Sequence, residues 1–215
     1  MKRYLFFILI LVIHYSCIAQ NHFLFFAGPQ ATSARYKIKD QKQETGYKFG
    51  FQAGVGWKIP FDINLFFAPA IYYNLKGYKV TLKDPAFPPS LFAKNNNTTL
   101  HSIDFMPMLQ LDFGAQPAHL FLKVGAGMDF VFSGREKFDL TTGESIDRKM
   151  VFSFGDYGRY TSNAVVHFGY ETVGRIMIFG HYTYGLGSLN NADKGPVIRH
   201  RIMGVSVGKY LKKNK

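Results

Sequence analysis

The sequence predicts an all-β protein, an eight-stranded antiparallel up-and-down transmembrane β-barrel preceded by a cleaved signal peptide. Three observations predict it. Segments of about ten residues alternate large apolar side chains with small or polar ones, which is the two-residue period of a strand. The connections between them are short and long in turn, as in barrels that cross a bacterial membrane. Composition agrees: aromatic residues make up 17% of the 215-residue chain and glycine occurs 21 times, which favours strands and tight turns.

At the N-terminus, Lys2 and Arg3 precede the apolar run YLFFILILVI and then HYSCIAQ. A charged start, a short apolar centre and a small residue at the cut make residues 1–19 a secretory signal peptide, cleaved after Ala19. The run falls short of the roughly 20 residues a helix needs to cross a bilayer. Cleavage leaves residues 20–215 as one barrel domain and removes Cys17, the one cysteine of the sequence. The mature chain then depends on no disulfide. Lipidation of Cys17 is the alternative, and His14 and Tyr15 fit a lipobox poorly. Loss of Lys2 and Arg3 lowers the formal charge from +12 to +10. The remaining lysines and arginines form no single stripe, which argues against a nucleic-acid partner. Anionic lipid headgroups suit them better.

The strands follow in order. The first, Phe23 to Tyr36, is the least regular. The second, YKFGFQAGVGWK, sets Phe49, Phe51, Ala53, Val55 and Trp57 against Lys48, Gly50, Gln52, Gly54, Gly56 and Lys58. In the third, INLFFAPAIYYNLKGYKV, Ile63 through Leu75 supply an apolar face, and Asn64, Asn74 and Lys76 the polar one. The fourth, SIDFMPMLQLDF, sets Ile103, Phe105, Leu109 and Leu111 against Ser102, Asp104, Gln110 and Asp112. LFLKVGAGMDFVF carries Lys123 and Asp129 on its small face, YTSNAVVHFGYE carries His167 and Glu171, and RIMIFGHYTYG carries His181. RIMGVSVGKY completes the eight. IPFD, GAQPAH and ETVG are short connections. The links at about 37–45, 77–99, 133–157 and 187–197 are long and hold turn formers such as DPAFPPS and SLNNADKGP.

The faces decide the solvent. A soluble barrel would turn its apolar face inward, but here the glycine-rich polar face suits the crowded interior of an eight-stranded barrel. The large face then meets lipid, with aromatic girdles at its edges. Lys48, Lys58, Lys76, Asp104, Asp112, Lys123, Asp129, His167, Glu171 and His181 are expected in the lumen as a structural polar cluster. Opposite charges there can pair, so a plug is expected rather than a channel.

No catalytic, cofactor or metal site is expected. His101 and Ser102 are strand neighbours and point opposite ways. A triad of Ser102, His181 and an acid remains a geometric possibility. The histidines have no metal-ligand spacing, and GVG and GAG lie within strands with no helix after them. Pro69 and Pro107 each remove a ladder donor. A hairpin register pairing Lys76 with Leu100 would set the two prolines opposite each other on the lipid side, sharing one break.

The order of segments resembles the PorT-like outer-membrane β-barrel family of the Bacteroidota over essentially the whole mature chain. The stretches carrying the resemblance are FFAPAIYYNLKGYKV, SIDFMPMLQLDF, LFLKVGAGMDFVF and HFGYETVGRIMIFGHYTYGLGSLNN. Tyr73, Lys76 and Gly77 fit the family's aromatic–x–x–Lys–Gly strand end, and Tyr182, Tyr184, Gly185 and Leu186 fit its strand-seven tail. Ala70 stands where the family often has Glu, and LKKNK follows Tyr210 where the last strand usually stops. The resemblance implies location in the outer membrane, contact with its lipid, and a link to secretion and gliding machinery. The expected role is non-catalytic: a monomeric interaction or structural barrel whose long exterior loops meet a partner or ligand. An accessory part of a secretion or gliding machine, a lipid-modifying outer-membrane enzyme and a soluble β-barrel carrier are the alternatives.

Overall fold

The computed structural model describes residues 22–114 and 116–211, and all its regular elements are strands. The expected signal peptide and Cys17 lie outside the described residues. Eight long strands make the wall: β1 (His22–Ile38), β2 (Lys48–Pro60), β3 (Leu65–Phe67 and Ala70–Thr81), β4 (Asn95–Met106 and Met108–Phe113), β5 (His119–Asp139), β6 (Tyr160–Glu171), β7 (Ile176–Gly185) and β8 (Val197–Tyr210). Each pairs antiparallel with its sequence neighbours, and β8 returns to pair with β1. Closure removes the free edges that lipid would leave unsatisfied. Three short strands, Gln41–Lys42, Glu44–Gly46 and Ser145–Lys149, pair with β1, β3 and β5 within the long connections.

Alternation fixes which side chains face out. Phe105 is 50% exposed, Phe168 53% and Val205 54%, while their strand neighbours are inward. A wall this apolar requires an apolar solvent. Aromatic side chains gather toward its edges. Near the short-turn rim, Phe23 packs edge-on against Phe25 and Trp57, at 4.8 and 5.4 Å between ring centres. Toward the long-loop rim, Tyr73 packs beside Phe132, and its hydroxyl lies 2.6 Å from Nδ1 of the outward-facing His101.

Both prolines interrupt their strands. Phe67 pairs with Leu109 on one side of the break and Ala70 with Met106 on the other. The Ala68 amide donates to the Met108 carbonyl at 2.8 Å between them. That continuous register sets Pro69 opposite Pro107, both on the outward face. The two missing donors therefore fall at one point of the wall rather than two.

Some expected boundaries shift. Ile63 and Asn64 belong to the exposed β2–β3 turn, not to the wall, so Asn64 does not reach the lumen. β3 runs past Gly77 to Thr81, β4 begins at Asn95, and β5 continues to Asp139. The loops expected at about 77–99 and 133–157 are therefore shorter, and the sheet projects beyond the aromatic edge. Within β5, His101 opposes Ser133 while Ser102 opposes Val131, leaving Phe132 as an extra residue. This bulge inverts the alternation. Val131 points inward before it; Gly134, Glu136 and Phe138 point inward after it.

The interior is filled in layers, as the inward residues of β4 show from the short-turn rim upward. Asp112 and Gln110 come first, Met108 and Met106 next, then Asp104 and Ser102, then Leu100. Leu24, Phe26, Tyr72, Phe121 and Phe179 complete the lower apolar layer. Tyr36, Tyr78, Val131 and Ile198 complete the upper one, together with Ala86, Met150, Tyr157 and Leu189 from the long loops. Glycine makes room for these large groups. A Cβ at Gly54 would come within 2.2 Å of Tyr72 Cβ, and one at Gly204 within 2.7 Å of the His181 ring.

Candidate functional site: a layered lumen beneath a loop cap

At the short-turn end, Lys58 Nζ lies 2.6 Å from Asp112 Oδ2 and donates to Glu171 Oε2 at 3.0 Å. Gln110 donates to the other Asp112 oxygen at 2.6 Å. His119 Nε2 approaches the same carboxylates at 3.1 and 3.4 Å without the alignment of a hydrogen bond. Three strands and the start of β5 thus hold one ammonium between two carboxylates. Among the described residues, no set of three His, Cys, Asp or Glu side chains is arranged to hold a metal ion.

Above it, Lys123 is buried with its Nζ 5.3 Å from the centre of the Phe121 ring. His167 stacks on Phe179 at 5.0 Å. A hydrogen-bonded belt then crosses the barrel. Gln52 Nε2 donates to Ser206 Oγ at 3.0 Å and lies 3.3 Å from His181 Nδ1. His181 Nε2 is 3.3 Å from Gln30 Oε1, and Gln30 Nε2 donates to Asn74 Oδ1 at 2.6 Å. Asn74 Nδ2 donates to Asp104 Oδ2 and Ser102 Oγ to Asp104 Oδ1, both at 2.7 Å. At the top of the belt Lys76 pairs with Asp129, whose second oxygen accepts from Thr161 Oγ1 and, at 3.2 Å, from Asn163 Nδ2.

Lys58, Lys76, Asp104, Asp112, Lys123, Asp129, His167, Glu171 and His181 are all buried in the interior. Lys48 is not, and this corrects its assignment to the lumen. The ladder between β2 and β3 ends at the Phe51–Leu75 pair, so Lys48 lies beyond it. Its Nζ reaches the outward side of β4, 2.6 Å from both Asn97 Oδ1 and Thr99 Oγ1. Gln30, Gln52, Asn74 and Asn163, which link the charged groups, carry the same inward parity and were legible on that signal alone. His119 was hidden in the turn GAQPAH. Ser102 and His181 bond to different partners, Asp104 for one and Gln30 with Gln52 for the other, so they form no catalytic pair.

The cap rests on Glu136, which the bulge turns inward. Arg148 Nε donates to Glu136 Oε1 at 2.8 Å and Tyr157 OH to Glu136 Oε2 at 2.7 Å. Burial, with Tyr78 and Glu136 nearby, pushes the Tyr157 phenol well above its usual range, so it stays protonated as a donor. Arg148 Nη2 also donates to the Pro89 carbonyl at 3.0 Å, and Tyr36 OH to the Pro88 carbonyl at 3.3 Å. One carboxylate thus ties the β3–β4 and β5–β6 connections to the wall. Outside the cap, Phe92 is 64% and Phe154 94% exposed.

A closed barrel of eight antiparallel strands with an apolar outer wall, short turns at one rim and long loops at the other is an outer-membrane β-barrel. Residues 18–191 match the family model of the outer membrane protein beta-barrel domain, and the chain belongs to that family. It is similar to the attachment invasion locus protein Ail of Yersinia pestis, at 12% identity over 89% of this chain and 99% of that one, with a TM-score of 0.45. Neisserial surface protein A is similar at 17% identity over 87% and 97% of the two chains, with a TM-score of 0.42. OprG of Pseudomonas aeruginosa is similar at 9% identity over 90% and 96%, with a TM-score of 0.43. No curated protein matches the sequence.

Proposed function

We propose that this outer-membrane barrel is a plugged, non-catalytic scaffold whose exterior loops meet a partner or ligand. The observation that carries the reading is the upper apolar layer, where three long connections place Ala86, Met150, Tyr157 and Leu189 inside the barrel mouth. A pore would need that space. A binding surface instead needs loops held in one conformation, because ordering them beforehand lowers the entropy lost on association. In this reading Phe87, Leu91, Phe92 and Phe154 are the apolar contacts offered outward. Residues 1–19 direct export and residues 20–215 form the mature monomer.

The resemblance to PorT-like barrels favours one form of this reading, in which the partner is a component of a secretion or gliding machine. Tyr73, Lys76 and Gly77, which carry part of it, lie in the loop-side half of β3. Two measurements test the proposal together. The purified barrel in a planar bilayer should show no stepwise conductance. A photo-crosslinking residue at Phe92 or Phe154 in intact cells should give one discrete protein or ligand adduct, whereas the same residue at Phe168 should label lipid. Steady conductance steps, or no adduct from either loop position, would defeat it.

A further inference from the structure

On the outside of the wall, β1, β7 and β8 pass the upper edge of the apolar band side by side. Arg35 pairs directly with Arg199, and Arg201 stands between Ser33 and Tyr184. All three arginines face outward and are half-buried. Arg35 Nη1 points to Tyr184 OH at 3.5 Å, and the Arg201 guanidinium lies 6.0 Å from the centre of the Tyr184 ring. Among the described residues, none of the three has a carboxylate within salt-bridge distance. The Nε groups of Arg199 and Arg201 are buried without a hydrogen-bond partner.

That arrangement is electrostatically incomplete. Three like charges at close quarters repel, and a buried donor left without a partner keeps its full desolvation penalty. Two other loop-side arginines have acidic partners, Arg135 with Asp147 and Arg148 with Glu136, and Arg159 donates to the Val131 carbonyl and lies over the Phe152 ring. An anion with several acceptor oxygens would complete the site, and guanidinium forks match phosphate oxygens two at a time.

The level of the cluster identifies where that anion comes from. The outward row beneath it is Tyr182, Met203 and Ala31, and the wall stays apolar from there to Lys209 at the other rim. The eight-residue step from Lys209 to Arg201, at about 3.4 Å per residue and a tilt of about 40°, covers roughly 21 Å of the membrane normal. Arg201 therefore stands where hydrocarbon gives way to headgroups. We propose that Arg35, Arg199 and Arg201 form a binding site for a phosphate group on an outer-leaflet lipid, with Tyr184 as its floor.

The test uses the full barrel, refolded and shown intact by its heat-dependent gel shift. Wild type and R199Q/R201Q are placed in nanodiscs containing diphosphorylated lipid A or the same lipid stripped of phosphate, and bound lipid is counted by native mass spectrometry. Wild type should retain the phosphorylated lipid at least about tenfold more tightly than the variant, the loss expected from charge-assisted hydrogen bonds. It should discriminate against the stripped lipid similarly. R135Q, which removes an already paired charge on the opposite wall, should bind as wild type does. Equal retention by wild type and R199Q/R201Q, or equal retention of both lipids, overturns the proposal. Displacement of the lipid by inorganic phosphate at equal concentration would overturn the lipid source and leave a site for a soluble anion. If R199Q/R201Q does not refold, R199K/R201K decides instead: it keeps the charge but loses the forked geometry, and unchanged discrimination by it counts against the site.

Discussion

Lys76 on β3 and Asp129 on β5 form an ion pair that reaches past β4 inside the barrel, with both side chains sealed from solvent. Thr161 and Asn163 occupy the carboxylate's other oxygen. Both carboxylate oxygens are thus occupied and the ammonium is paired, which is the condition under which buried charges are tolerable.

Removing one partner alone should be the costly change. Asp129→Ala strands an ammonium in the interior and should destabilise the barrel by about 3–5 kcal/mol. The double replacement Lys76→Met with Asp129→Leu should recover most of that loss. The midpoint of the heat-dependent gel shift, or of urea unfolding in detergent, checks both.

Glu136 should hold the cap. Glu136→Gln weakens its bonds to Arg148 and Tyr157 together, so residues 150–157 should become more accessible to added protease while the barrel core stays resistant. Tyr157→Phe removes one hydrogen bond but keeps the packing, and should open the cap by a smaller amount, about 1 kcal/mol. Equal cleavage of all three proteins would mean that packing alone secures the connection.

The hairpin below the cap should keep its form into mild acid. Hydrogen bonding and the charge of Arg135 hold the Asp147 carboxyl below its usual range. A depressed folded value gives a contribution that is complete above the ordinary carboxylate range, near pH 3.9, and is lost as pH falls through the folded value. The amide-exchange protection that the Arg135–Asp147 pair adds across Ser145–Lys149, read as the difference between wild type and Arg135→Gln after correction for intrinsic exchange, should therefore be constant from pH 8 to about pH 5. The effect below that range should be small, because both groups are exposed.

The proline break fixes a register that cysteine pairs can read. Phe67→Cys with Leu109→Cys places two thiols on directly opposed residues, within the roughly 4.4–6.8 Å Cα separation a disulfide accepts. Phe67→Cys with Leu111→Cys places them on a diagonal and should cross-link far less. The ratio of oxidised products on a non-reducing gel gives the answer.

Phe168 and Phe154 are both exposed, but to different solvents. Phe168→Arg places a charge on the lipid face and should cost up to about 2–4 kcal/mol near the bilayer midplane. Phe154→Arg, in a loop, should leave stability within about 0.5 kcal/mol of wild type. Similar losses at both positions would place the apolar band elsewhere.

Much of this architecture was legible because a two-residue period survives locally. Gln52, Lys58, Asp104, Asp129 and His181 could be assigned inward from their strand neighbours, and the proline register followed from one assumed pair. The same rule failed where parity is not a local property. Lys48 lies beyond the last β2–β3 pair, so its alternation with Gly50 no longer binds its side chain to the interior. Ile63 and Asn64 have strand composition but belong to a turn that closes in two fewer wall residues. The cap could not be read at all. Ala86, Met150, Tyr157 and Leu189 are ordinary loop residues until three separate connections converge, and contacts of that kind leave no periodic trace in sequence. The arginine cluster was missed for a related reason: Arg35 meets Arg199 and Arg201 only when the last strand closes on the first.

The extra residue at Phe132 works as a parity switch for everything that follows it on β5. Were the same residues to run as an unbroken strand, Arg135 and Lys137 would take the inward positions beneath the cap, and Glu136 would stand outside with no arginine or tyrosine to meet. Length changes near this point are therefore not equivalent. Loss of the extra residue would bring Val131 and Ser133 together opposite Ser102 and His101, so every later position keeps its face, whereas one residue gained between Phe132 and Arg135 on top of the bulge reverses it. A sequence related to this one should keep the bulge or lose its one extra residue cleanly, even while the hairpin tip at Thr141–Gly143 changes length freely.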